Sequence, residues 1–85
     1  MKKRTILIID KDKEVENIVN AILKNVDKVE TVQTGKEGLE KLHESSVMLV
    51  LTSDILPDMN GNDISIIVKT SKPYIPVIVM KKENE

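Results

Sequence analysis

Eighty-five residues carry 13 Lys and Arg against 14 Asp and Glu, a net charge of -1, with no cysteine and one aromatic residue, Tyr74. A chain of this length makes one small domain, and its balanced charge gives no reason to expect nucleic acid or an anionic membrane as partner. Without cysteine there is no disulfide framework, thiol nucleophile or thiolate metal site, so a cytoplasmic setting is the default, and one aromatic is too few to stack on bases.

The basic start Met1-Lys2-Lys3-Arg4 reads as a solvated flank, because Ile6-Leu7-Ile8-Ile9 behind it is too short for a signal-peptide core or a membrane span. That apolar run is predicted as a short buried strand ending in Asp10-Lys11-Asp12. A helix follows over Glu14 to Asn25, with Val15, Ile18, Val19 and Ile22 at the spacing of one inner face and Asp12 as its N-cap. Asn25-Val26-Asp27 breaks the pattern before a weaker strand, Val29 to Gln33. Thr34 then caps a helix from Lys36 to Glu44, with Leu39 and Leu42 inward and Ser45-Ser46 at its end.

The apolar run Met48-Leu49-Val50-Leu51, followed by Thr52, reads as a second buried strand. It opens into the loop Ser53-Asp54-Ile55-Leu56-Pro57-Asp58-Met59-Asn60-Gly61. Asp63 to Lys72 is predicted as a helix with Ile64, Ile67 and Val68 inward, against the β-branched run Ile64–Val68, which favours a strand. Pro73-Tyr74-Ile75-Pro76 is a stiff connection to a last strand, Val77-Ile78-Val79-Met80, and Lys81 to Glu85 is a polar tail. Strands alternating with helices over short connections imply a parallel sheet with right-handed crossovers. The acids ending the first and third strands then meet at the carboxyl edge, where open α/β sheets bind ligands.

These residues resemble the receiver domains of bacterial two-component response regulators. The likeness rests on Ile6 to Asp10, on Leu49-Val50-Leu51 running into Leu56-Pro57-Asp58-Met59-Asn60-Gly61, and on Tyr74 to Met80, in the right order along the whole chain. The resemblance implies a flavodoxin-like α/β fold with strand order 2-1-3-4-5. This chain carries β-α-β-α-β-α-β, order 2-1-3-4, as a single domain over residues 1–85 that lacks the fifth βα unit. It also implies a phosphoryl group passed from a histidine kinase to an Asp at the end of the third strand.

The family's chemical positions are altered here. Its acceptor lies four residues before the loop proline and eight before the glycine, which from Pro57 and Gly61 lands on Ser53. Asp54, one place later, is the alternative acceptor and needs a one-residue loop deletion. The family's paired metal-binding acids become Asp10 and Lys11, with Asp12 close by, and magnesium wants several hard oxygen ligands that Lys11 does not supply. The hydroxyl residue after the fourth strand becomes Lys81, and the lysine of the fifth strand lies beyond this chain. Lys11 and Lys81 are expected near Asp10 and Asp54, where a cationic side chain can take a metal's place.

The expectation is therefore a pseudo-receiver: a protein-interaction module rather than an enzyme, needing no cofactor. The alternative is a phosphorelay receiver using Asp54 and Mg²⁺. With one helix on one face and an open fourth strand, the partner is a homodimer or a protein that covers the first-helix face or pairs with Val77–Met80. A histidine kinase is the other partner the resemblance implies. Met48, Met59 and Met80 are expected to pack, with Met59 able to touch a partner, and His43 to lie at the surface. Ser53 has no base nearby for nucleophilic catalysis, and no glycine-rich phosphate loop is present.

Overall fold

The computed structural model describes residues 4–23, 28–44 and 46–81. In chain order these form β1 (Thr5–Ile9), α1 (Glu14–Ile22), β2 (Lys28–Val32), α2 (Gly35–Lys41), β3 (Val47–Ser53), α3 (Gly61–Ser71) and β4 (Val77–Met80). The strands lie in one parallel sheet of order β2-β1-β3-β4. The basic start through Lys3, residues 24–27 at the expected end of the first helix, Ser45, and the tail from Lys82 lie outside the described residues.

Alternation within the strands divides the core. Leu7, Ile9 and Val50 face α2 and α3 and pack with Leu42, Ile64, Val68 and Ile75. Ile6 and Ile8 face α1 and pack with Val19, flanked by Val15, Val29, Leu49 and Leu51. β1 is buried at every residue because it is central and covered on both faces.

Local chemistry explains the start of two helices. At α2 the Thr34 hydroxyl accepts from the Glu37 amide at 3.2 Å, and the Glu37 carboxylate accepts from the Thr34 amide at 3.3 Å. At α3 Asn60 and Asp63 make the same reciprocal pair, at 2.9 and 3.5 Å. Each pair satisfies two amides that the first helical turn leaves open. Beyond the C-terminus of α3, Lys72 donates from its ammonium to the Leu42 carbonyl just past α2, where a cation complements the exposed carbonyls.

An ion-pair cluster ties α2 to the edge strand. Glu30 of β2 meets Lys41 at 2.6 Å and Lys28 at 3.2 Å, and Lys41 also meets Glu44 at 3.4 Å. The Lys41 ammonium, followed by Lys28, holds the Glu30 carboxyl below its ordinary pKa. Glu30 in turn raises that of Lys41.

Several expectations change. Asp12 does not cap α1: Lys13 occupies the N-cap with no side-chain bond, and the Asp12 amide donates to the Asp10 carboxylate at 3.1 Å. Of the expected inner face of α1, Val19 is buried and Val15 half-buried. Ile18 and Ile22 stay 53% and 68% exposed, because the sheet on this side is roofed by α1 alone. Met48 is not a packing residue. The register moves from Thr5 opposite Val47 to Ile6 opposite Leu49, so Met48 is the extra residue of a bulge and is turned outward. Ile64 and Val68 are buried in α3, but Ile67 is exposed with its neighbour Ile66. The β-branched run is nevertheless helical, since the reciprocal cap and two deeply buried side chains outweigh a propensity cost of a few tenths of a kcal/mol per residue.

Candidate functional site

β3 extends two residues past the apolar run and ends on Ser53. The register sets Ile9 opposite Thr52 and Ser53 opposite Met80, so Asp10, Ser53 and Met80 stand in one row at the carboxyl edge. Asp10 is fully buried, and its amide donates to the Val32 carbonyl at 2.9 Å. Ser53 is buried too, and its hydroxyl donates to the Ile55 carbonyl at 3.2 Å. That bond turns the hydroxyl back onto its own loop, and Ser53 acquires no general base.

Asp54 is the first residue beyond the strand and is half-buried. Its backbone is fixed on both sides: its amide donates to the Met80 carbonyl and its carbonyl accepts from the Gly61 amide, each at 2.9 Å. Ile55 and Asn60 bridge in antiparallel fashion, and the Leu56 amide donates to the Met59 carbonyl at 3.0 Å. Pro57 and Asp58 thus sit at the tip of a closed loop. Gly61 is required by close approach, since a Cβ there would lie 2.5 Å from the Ser53 carbonyl oxygen and 3.1 Å from Asp54 Cα.

The cationic positions behave differently from the expected pocket. Lys11 and Lys81 both reach the carboxyl edge with exposed side chains. Among the described residues no ion pair joins either to Asp10, Asp12 or Asp54. Nor do the acids gather as a metal site: among the described residues no three His, Cys, Asp or Glu side chains come together. Magnesium, which keeps octahedral oxygen coordination, therefore finds no matching donor set here. His43 is exposed, as expected.

One loop contact was not read from the sequence. The Asp58 carboxylate accepts from the Gly35 amide at 2.8 Å and the Lys36 amide at 2.9 Å, which holds its pKa below the usual value for an aspartate. Met59 lies against Gly35, where a Cβ would come within 2.5 Å of its side chain. The loop beyond Ser53 is thereby joined to the first turn of α2. The only signal available was Gly35 directly after a capping threonine. Its partner lies 23 residues away and follows from the sheet order alone.

Residues 6–85 match the response regulator receiver domain. The chain belongs to the response regulator receiver domain family. Among solved structures, this receiver is similar to the MaeR response regulator bound to beryllium trifluoride, with 28% identity and a TM-score of 0.82 over 96% of this chain and 70% of that one. It is equally similar to a CheY-like receiver domain protein from Methanospirillum hungatei, with 27% identity and a TM-score of 0.81 over 99% of this chain and 68% of that one. Among curated proteins, transcription factor SKN7 of Chaetomium thermophilum is 28% identical over 82 residues, 93% of this chain. The luminescence regulatory protein LuxO of Vibrio campbellii is 38% identical over 52 residues, 61% of this chain. The receiver spans only 11% and 12% of the length of those two proteins. The fold is thus the flavodoxin-like, CheY-like one, and the protein is a receiver domain of two-component signalling. Among the described residues no helix is long and apolar enough to cross a membrane.

Proposed function

We propose that this domain is a pseudo-receiver, a protein-interaction module that keeps the receiver scaffold without accepting a phosphoryl group. The observation that carries the reading is Ser53. It is the last residue of β3, level with Asp10, with its hydroxyl committed to the Ile55 carbonyl. Phosphoryl transfer depends on a positioned carboxylate, a metal and cationic groups that neutralise developing charge. At this edge the strand ends in a hydroxyl and the acids do not form a metal cluster. The lysines at 11 and 81 extend into solvent. The domain therefore works by surface recognition, with no catalytic step and no cofactor, in the cytoplasm.

A second reading rests on Asp54, a half-buried carboxylate one residue beyond the strand, with its backbone held between Met80 and Gly61. Under it, Asp54 accepts phosphate from a histidine kinase in the presence of Mg²⁺. Incubation with acetyl phosphate and MgCl₂, read by intact mass, separates the two. The pseudo-receiver shows no added phosphoryl mass, whereas an adduct that disappears in Asp54→Asn overturns it.

A further inference from the structure

The free edge of the sheet carries none of the features that keep edge strands apart. β4 has no charged residue between Val77 and Met80, and its ladder with β3 runs through four residues without a register shift. Natural edges are protected by charges, bulges or prolines that remove an outward donor. The proline here, Pro76, removes a donor from the other side. Its carbonyl accepts from the Val50 amide and that of Met80 from the Asp54 amide, at 3.0 and 2.9 Å. Alternation along a strand then turns positions 76, 78 and 80 toward β3, and turns the amides and carbonyls of Val77, Val79 and Lys81 outward. Every outward donor is intact.

We infer that this edge pairs with β4 of a second copy of the chain, antiparallel about a two-fold axis at Val79. This names the partner surface of the interaction module proposed above. Three observations select a second copy. An edge with alternating donors and acceptors is its own complement under a two-fold rotation, because Val79 can exchange both hydrogen bonds with its symmetry mate. In that register Ile78 of each copy lies opposite Met80 of the other on the α1 side, an apolar pair at the close spacing of non-hydrogen-bonded positions. Ile78 is 51% exposed in the single chain, so pairing removes from water an isoleucine with nothing over it. Lys81 falls opposite Val77, so no like charges meet. On the same face the half-buried Leu49 and Leu51 continue the apolar surface inward from the edge.

The chain has no cysteine, which makes a cross-link unambiguous. The double variant Ile78→Cys and Met80→Cys places a thiol of one copy opposite a thiol of the other, with Cβ atoms about 4.5–5.5 Å apart, close enough to bond with small backbone adjustment. Sedimentation equilibrium of the unaltered 85-residue chain should show a reversible dimer with a dissociation constant on the order of 100 µM or tighter. Ile78→Lys, an exposed site with no core contact, should weaken it at least tenfold while the circular dichroism and Tm of the monomer stay unchanged. Mild oxidation of the double-cysteine variant should yield a covalent dimer. A chain that remains monomeric well above that concentration overturns the inference. So does a dimer that Ile78→Lys leaves intact and that the cysteines fail to trap. A phosphoryl adduct on Asp54 would end the pseudo-receiver reading and leave these measurements unaffected, so the two failures are distinguishable.

Discussion

Gly61→Ala tests how closely α3 is seated against the end of β3. A methyl at this position would lie 2.5 Å from the Ser53 carbonyl oxygen, 3.0 Å from Val79 Cγ1 and 3.1 Å from Asp54 Cα. Relaxed contacts between heavy atoms sit at about 3.5–4.0 Å, so α3 or the Ser53–Asp54 peptide must move by on the order of 1 Å. Overpacking of this kind costs about 1–3 kcal/mol. The move also strains the bond from the Gly61 amide to the Asp54 carbonyl, worth about 1 kcal/mol. Against this, alanine is favoured over glycine in a helix by about 1 kcal/mol, and less in the first turn. The net expectation is a loss of about 1–3 kcal/mol, which for a domain of this size lowers Tm by roughly 5–15 °C. Urea and thermal denaturation followed by circular dichroism measure it. Because the closest atom belongs to the backbone, adding Val79→Ala should recover little. A Gly61→Ala protein as stable as the parent, or more so, would refute the claim that close approach dictates glycine here.

Gly38→Ala offers the contrasting case, since its Cβ would meet the Cδ1 and Cγ1 atoms of the buried Ile9 at 2.2 and 2.7 Å. It should cost about 1–2 kcal/mol in chemical denaturation, and Ile9→Val, which removes the nearer atom, should make the pair less destabilising than the two changes added separately. Glu30→Gln should cost about 0.5 kcal/mol at pH 7, the usual worth of a partly solvated ion pair. Since the folded pKa of Glu30 lies below its unfolded value of 4.5, its contribution is present above that pH and fades as pH falls through the folded pKa. The difference between parent and variant should therefore vanish in strong acid, as a denaturation series over pH would show. Asp58→Ala should lower stability and speed amide hydrogen exchange at Gly35 and Lys36 while leaving β1 protected. The lowered pKa of Asp58 places loss of its contribution at acidic pH as well, and unchanged exchange at both amides would refute the tie between loop and helix.

Legibility followed the range of the physics. Strand β1 and strand β4, the capping of α2 by Thr34, and the helical spacing of Val15 and Val19 are written in neighbouring residues, because periodicity and cap hydrogen bonds act within a few positions. The position of Pro57 and Gly61 relative to Ser53 was also local, and it pointed to the serine before any coordinates did. The ends of elements were less readable. β3 runs through Thr52 and Ser53 because both are buried in the sheet, which polarity alone argues against.

What the chain order could not contain was the pairing of distant groups. A carboxylate is read as capping the nearest helix, so Asp12 was assigned to α1, yet Asp12 turns to Asp10. The parallel sheet brings Asp58 to α2 and Glu30 to Lys41, and the electrostatic gain goes to whichever partners the strand order makes adjacent. Burial obeys the same rule. Ile18 and Ile22 have the spacing of a buried face, but a stripe is buried only as far as something lies opposite it, and α1 is the sole cover on its side of the sheet. Local hydrogen bonding and periodicity made the helices and strands of this receiver. Which charges meet, which isoleucines stay in water and where Ser53 comes to rest were fixed only when four parallel strands were laid side by side.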